Sequence, residues 1–244
     1  MPDEKSRDGD PSRFSSPRCL SYLPGVDVVS GLVAVLVVVH FLLLLAGGPI
    51  GAPWYYQNFA LSWGEFSHGK IWQLLTYGLL HSDGLHLVIN LLVLWLVGKR
   101  VLLILGSRHC LQMMFFGVLA GGLLHLLTGV LLLRNGYAES YLVGISGACL
   151  ALLLTLTTLS PNDRFRFLPV SGKNLGLGLI IAELLLWFMH PGLGLPVFSN
   201  LGELLVTWGG PGLFRISHAC HLGGALAGYL LARRLLAPLS HPGD

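Results

Sequence analysis

A serine set among glycines, Gly144-Ile145-Ser146-Gly147, and a histidine leading into two more, His221-Leu222-Gly223-Gly224, are the residues of this chain best suited to do chemistry together. A serine hydroxyl is a weak nucleophile until a base takes its proton. Imidazole titrates near neutrality and is the usual base. The chemistry that such a pair would perform is acyl transfer, which also needs donors aimed at the developing oxyanion. His86 and Asn90 are four residues apart and share one helix face. With the backbone around Gly144 and the N–H of Ser146, they are the candidate oxyanion hole. His81 lies just before them, in His81-Ser82-Asp83-Gly84. His218 stands one turn before His221 and is expected to line the mouth of the site. Asp83, Glu139 and Glu203 are loop carboxylates and none stands convincingly behind His221, so a Ser–His dyad is expected rather than a triad. Glu183 lies in an apolar segment with no basic partner at matching depth, and receives no role. HExxH is absent, so the histidines do not make a zinc-protease motif, and Cys19, Cys110, Cys149 and Cys220 lack ligand spacing and read as small apolar residues rather than a disulfide scaffold.

The elements that carry these residues are apolar. The chain has 244 residues, 53% hydrophobic and 11% charged, against about 25% charged in soluble domains. That balance points to an all-α membrane protein. Six stretches approach the roughly 20 apolar residues that span a bilayer: 26–46, 85–105, 111–133, 142–160, 175–195 and 216–237. They predict one six-helix unit over 26–237, a polar Ser- and Pro-containing disordered tail over 1–25, and a short tail over 238–244. No small-residue cleavage site follows 26–46, so that segment is expected to be retained. No basic patch suited to nucleic acid is present. Nothing in the sequence specifies an oligomeric state.

Charge sets the orientation. Twelve of the fifteen Lys and Arg fall in the N-terminal tail, the second–third and fourth–fifth connections and the C-terminal end; only Lys70, Arg134 and Arg215 lie on the other side. The excess of positive charge on the cytoplasmic side then places both termini in the cytoplasm. Segments two, four and six run inward, so His86, Asn90, Ser146 and His221 fall near one outer face. For Ser146 and His221 to meet, their helices must pack closely. Gly147 and Ala151 on one, and Gly224 and Gly228 on the other, supply the small-xxx-small faces that allow it.

Trp72, His81-x4-His86-x3-Asn90, Gly144-x-Ser146-Gly147, and His221 followed by Gly224 and Gly228 together resemble the rhomboid intramembrane serine proteases, over roughly residues 55–235. The resemblance implies a six-transmembrane-helix rhomboid-like bundle with a long first outer loop, here about 47–84, lying partly in the membrane. It also implies a Ser146–His221 dyad, an oxyanion hole that includes His86 and Asn90, and no metal or cofactor. Its partners would be the lipid bilayer and transmembrane protein substrates, cut in or next to the membrane, and the setting a bacterial-type plasma membrane. Gln73, Leu102 and Leu150 depart from the family's usual Arg, Glu and aromatic residue, the last of which stacks on the catalytic imidazole. Other readings are a catalytically silent relative that binds membrane clients, a sorting-tag protease resembling rhombosortases, and a transporter. A transporter would place polar groups at the midplane, whereas here they gather at one face.

Overall fold

The computed structural model describes residues 27–48, 53–134, 141–165 and 168–237. The expected tails 1–25 and 238–244 lie outside the described residues. The first helix, α1 (Val28–Leu45), is capped by Asp27, which accepts from the N–H groups of Val29 and Ser30. The same carboxylate meets the Lys99 ammonium, tying the start of α1 to the second apolar segment. The helix has a mean hydropathy of 2.9, and Val35, Val38, Phe41 and Leu42 are exposed along it. Apolar faces of that extent are stable against lipid and not against water.

The first connection holds three short helices, α2 (Trp54–Phe59), α3 (Trp63–Ser67) and α4 (Gln73–Thr76). Side chains staple it to itself. Lys70 Nζ and Gln73 Nε2 both donate to the Gln57 carbonyl at 3.0 Å, Trp72 Nε1 donates to Asn58 at 2.7 Å, and Thr76 Oγ1 donates to Phe59 at 2.8 Å. Gln73, which stands where the family usually has Arg, anchors this loop through its neutral amide.

Helix α5 (Gly84–Val93) continues through a π turn, Leu94–Gly98, into α6 (Lys99–Arg134). This run of 51 residues would be about 75 Å long if straight, more than twice the ~30 Å of hydrocarbon in a bilayer. Gly106 breaks it with φ 76° and ψ 170°, so the chain turns back into a second length. This run and α1 are the two helical stretches among the described residues long and apolar enough to cross a membrane. Then come α7 (Ser146–Leu159), a small antiparallel hairpin of β1 (Arg164–Phe165) and β2 (Leu168–Ser171), α8 (Gly172–Phe188), α9 (Pro196–Gly209) and α10 (His218–Leu236).

Four expectations are corrected. Residues 142–145 do not belong to the fourth helix: Leu142 pairs with Leu61 in an isolated bridge and Gly144 takes φ 111°. The fifth helix covers 172–188 rather than 175–195, because the chain leaves helical geometry ahead of Pro191. Residues 196–209 form a helix beyond the six apolar stretches, and the β1–β2 hairpin adds a strand pair to a chain expected to be all-α.

The centre is a three-helix seam without side chains in the way. A Cβ on Gly224 would collide with the backbone of Gly147, and one on Gly228 with the backbone of Ala151. On α6, a Cβ at Gly117 would meet Ala151 and Gly147, and one at Gly121 would meet Cys220. Tyr77, fully buried, donates its hydroxyl to the Val118 carbonyl at 2.7 Å and lies 3.6 Å from Cys220 Sγ, locking the first connection onto the same seam.

Overpacking a core typically costs about 1–3 kcal/mol. Gly228→Ala should therefore destabilise by about that much, whereas Gly178→Ala on α8, where a Cβ meets nothing within 4 Å, should be neutral or stabilising by up to ~1 kcal/mol. Unfolding of the two variants side by side in mixed micelles measures the contrast.

Candidate active site

Ser146 is the first residue of α7, where no side chain caps the helix. The first intrahelical bonds run from Ala148 and Cys149 to the Ile145 carbonyl, so the N–H groups of Ser146 and Gly147 stand outside the ladder, at the positive end of the helix dipole. The preceding turn is held open by Gly144. Its N–H bonds to the Tyr77 carbonyl at 3.0 Å, and a Cβ there would lie 2.7 Å from His86 Nε2 and 3.5 Å from Asn90 Nδ2. A positive φ and an imidazole face both require glycine at this position.

His86 and Asn90 thus come against the serine turn. Asn90 is buried, and its Nδ2 has no hydrogen-bond partner among the described residues. His86 Nδ1 lies 3.1 Å from Ser82 Oγ, which donates to Asp83 at 2.8 Å. Ser82 has one proton for two acceptors, and its destination sets the tautomer of His86. Given to Asp83, it makes His86 Nδ1 the donor. Given to His86, it leaves an Nε2–H facing Gly144, the form an oxyanion donor needs. Asp83 also caps α5, accepting the His86 N–H at 2.9 Å, and that bond together with the Ser82 hydroxyl holds its carboxyl below the ordinary 3.8. His81 packs edge-on against His86 with ring centres 5.1 Å apart. Burial, with His86 and His40 nearby, brings His81 down to about 4, so its ring is neutral at pH 7.

His221 sits in the first turn of α10. Gly224, three residues on, packs on Gly147, and Cys220 packs on Gly147 and Gly121, which brings the base and the nucleophile to adjacent helix ends. The Ser146 side chain neighbours the Cys220 thiol. Among the described residues, Ser146 makes no hydrogen bond to His221, whose Nε2 is free. Active-site bonds of this kind are often long before substrate binds.

The absence of a carboxylate behind His221 is an expectation the structure overturns. Glu183 Oε1 lies 3.0 Å from His221 Nδ1, and Oε2 lies 2.7 Å from His218 Nδ1. His218 does not line a mouth. It is buried, and its Nε2 lies 2.9 Å from the Leu213 carbonyl. A carboxylate within an apolar helix needs a partner, and two imidazoles one turn apart are the sequence signal that could have supplied it. These three side chains offer ligand atoms within 4.8 Å of one another and are the candidate metal-binding group among the described residues. A cation there would have to displace the protons that now join both rings to the carboxylate. Asp83 is committed to capping, Glu203 is exposed on α9, and Glu139 lies outside the described residues.

A rhomboid domain model matches residues 68–238. The chain is 26% identical to rhomboid protease GluP of Bacillus subtilis (strain 168) over 212 residues, covering 84% of this chain and 34% of that protein. It is 34% identical to rhomboid-like protein 16, chloroplastic, of Arabidopsis thaliana over 73 residues, covering 30% of this chain and 23% of that protein. The chain thus spans about a third or less of the length of these relatives.

Replacing an N-cap carboxylate by alanine costs about 1 kcal/mol, and Asp83→Ala should cost about that at pH 7. The native carboxyl titrates below its unfolded value of 3.8. Its contribution is therefore complete above that pH and fades as pH falls through the lower folded value. The gap in thermal midpoint between native protein and variant should close on acidification.

Proposed function

Because the chain belongs to the rhomboid family, we propose that this membrane protein is an intramembrane serine endopeptidase that cuts transmembrane or membrane-adjacent segments of other proteins. One observation carries the reading. An unpartnered buried amide on Asn90 and the His86 ring converge on Gly144, two residues before Ser146, while the residue after Ser146 is in backbone contact with the turn that follows His221. An inert client-binding protein has no use for an unsatisfied donor, whose burial alone costs about 1–3 kcal/mol.

In the proposed reaction Ser146 Oγ attacks the scissile carbonyl as its proton passes to His221 Nε2. Asn90 Nδ2 and the Ser146 N–H stabilise the oxyanion, joined by the Nε2–H of His86 when Ser82 turns its proton from Asp83 to His86 Nδ1. Collapse of the tetrahedral adduct transfers the proton from His221 to the leaving amine. Water, deprotonated by the same imidazole, then releases the acyl group from Ser146. No metal or cofactor enters this scheme.

The proposed topology is a single unit over 26–237 crossing the membrane six times, with both termini cytoplasmic and the site near the outer face. Support comes from the basic-residue asymmetry and from the starts of α5, α7 and α10 meeting at one end. The short helices of the first connection lie beside this end, where they would border the path of a substrate helix from the bilayer.

Groups that act as one unit lose activity non-additively. Ser146→Ala, His221→Ala and the double variant should be about equally inactive on a reconstituted transmembrane substrate, and full turnover by either single variant contradicts the assignment. Asn90→Ala should lower kcat by about 10²–10³-fold without lowering the thermal midpoint, since its Nδ2 gives up no hydrogen bond in the folded protein. A large loss of stability with kcat intact would make Asn90 structural instead.

A further inference from the structure

Glu183 is 15% exposed in its side chain and sits on an apolar helix, a position that is expensive for a carboxylate unless its charge is matched. Both of its oxygens are engaged, one by each of two imidazoles on α10. The proton count around this cluster is constrained. The Leu213 carbonyl can only accept, so His218 Nε2 must carry a proton. His218 Nδ1 faces Glu183 Oε2. Either that nitrogen is protonated too, making an imidazolium–carboxylate pair, or Glu183 holds the proton and donates it to the ring. In both cases His218 and Glu183 together are neutral, which suits a site shielded from water.

The second oxygen is then an acceptor with one donor in reach, the Nδ1–H of His221. Taking that proton fixes the tautomer of His221 and leaves the lone pair on Nε2, the nitrogen that makes no other bond among the described residues. It also fixes the plane of the ring. Phe214, which packs near His190 and His218 with ring centres 5.7 and 6.3 Å away, closes the cluster from the loop that precedes α10.

Building on the protease reading, we infer that Glu183 is the positioning residue for His221: it holds Nδ1–H, presents Nε2 as the base, and stabilises the imidazolium that forms when Ser146 gives up its proton, while His218 balances its charge. The Nδ1 proton stays on His221 throughout, and only the Ser146 proton moves, to Nε2 and then to the leaving group. The two histidines therefore have separate duties, with one as base and the other as counter-ion.

The test uses full-length protein in proteoliposomes with a transmembrane substrate, and compares Glu183→Leu, Glu183→Gln and Ser146→Ala. Removing the orienting carboxylate of a serine protease lowers kcat by about 10⁴-fold. Here Glu183→Leu should lower kcat by about 10²–10⁴-fold with KM within about twofold, and the ring-nitrogen NMR signals of isotope-labelled His221 should change from a single Nδ1–H form to a mixture of tautomers. Glu183→Gln preserves shape and an acceptor oxygen but not charge. It should lose at least about tenfold in kcat, and it provides the reading if the leucine variant does not fold. Unchanged kcat in Glu183→Gln, or a lower thermal midpoint with unchanged turnover per folded molecule in Glu183→Leu, overturns the positioning role. Such a result beside an inactive Ser146→Ala leaves the protease reading standing, whereas an active Ser146→Ala removes that reading itself.

Discussion

Between two helices in lipid there is little hydrophobic gain in association, so close approach must come from shape. In this protein the shape is an absence of side chains. The backbones of α7 and α10 touch at Gly147–Gly224 and Ala151–Gly228, and α6 fits beside them through Gly117 and Gly121. Every functional distance in the molecule inherits from that contact. Ser146 and His221 lie within one turn of it on either side, so the spacing between nucleophile and base is set by helix backbones rather than by flexible loops. Tyr77 binds the first connection to the same place through Val118 and Cys220, and the turn at Gly144 hangs from the Tyr77 carbonyl.

Polar groups are gathered at one end of this seam, and most are spoken for. Ser82 and Asp83 hold the start of α5 and the tautomer of His86; Leu213, His218 and Glu183 form a chain that ends on His221. Four buried atoms have no partner among the described residues: Asn90 Nδ2, both ring nitrogens of His81, and Gln73 Oε1. Of these, the Asn90 amide lies against the serine turn at Gly144, where it suits a charge that appears during the proposed reaction. The neutral pairing of Glu183 with His218 lets a carboxylate serve His221 without leaving uncompensated charge in the membrane.

The seam is legible in the sequence as small residues four apart on two apolar segments, while Ser146, His221, His86 and Asn90 stand out by residue type and spacing, with the charge asymmetry putting them at one expected depth. The carboxylate behind His221 was not legible, and the reason is geometric. An apolar run says where hydrophobicity ends, not where the helix ends. Extending the fifth segment to 195 placed Glu183 near the middle of the membrane, far from any histidine. The helix stops at Phe188, five residues beyond Glu183 or about 8 Å along the axis, which brings the carboxylate level with the first turn of α10. Leu150 offers no aromatic ring to lean on His221, and the hydrogen bond that His221 Nδ1 gives to Glu183 is the contact inferred to orient the imidazole here. Residues 142–145 were misread for a related reason. Their apolar character continues that of α7, but the pairing of Leu142 with Leu61 and the positive φ of Gly144 keep them out of the helix.

In the proposed reaction Ser146 Oγ is a nucleophile activated by His221. A fluorophosphonate reacts with such an oxygen and leaves a stable adduct that peptide mapping can place. One adduct, on Ser146, is expected in native protein embedded in lipid, and it should disappear in His221→Ala. An adduct on another residue, or undiminished labelling of Ser146 without the imidazole, would contradict it.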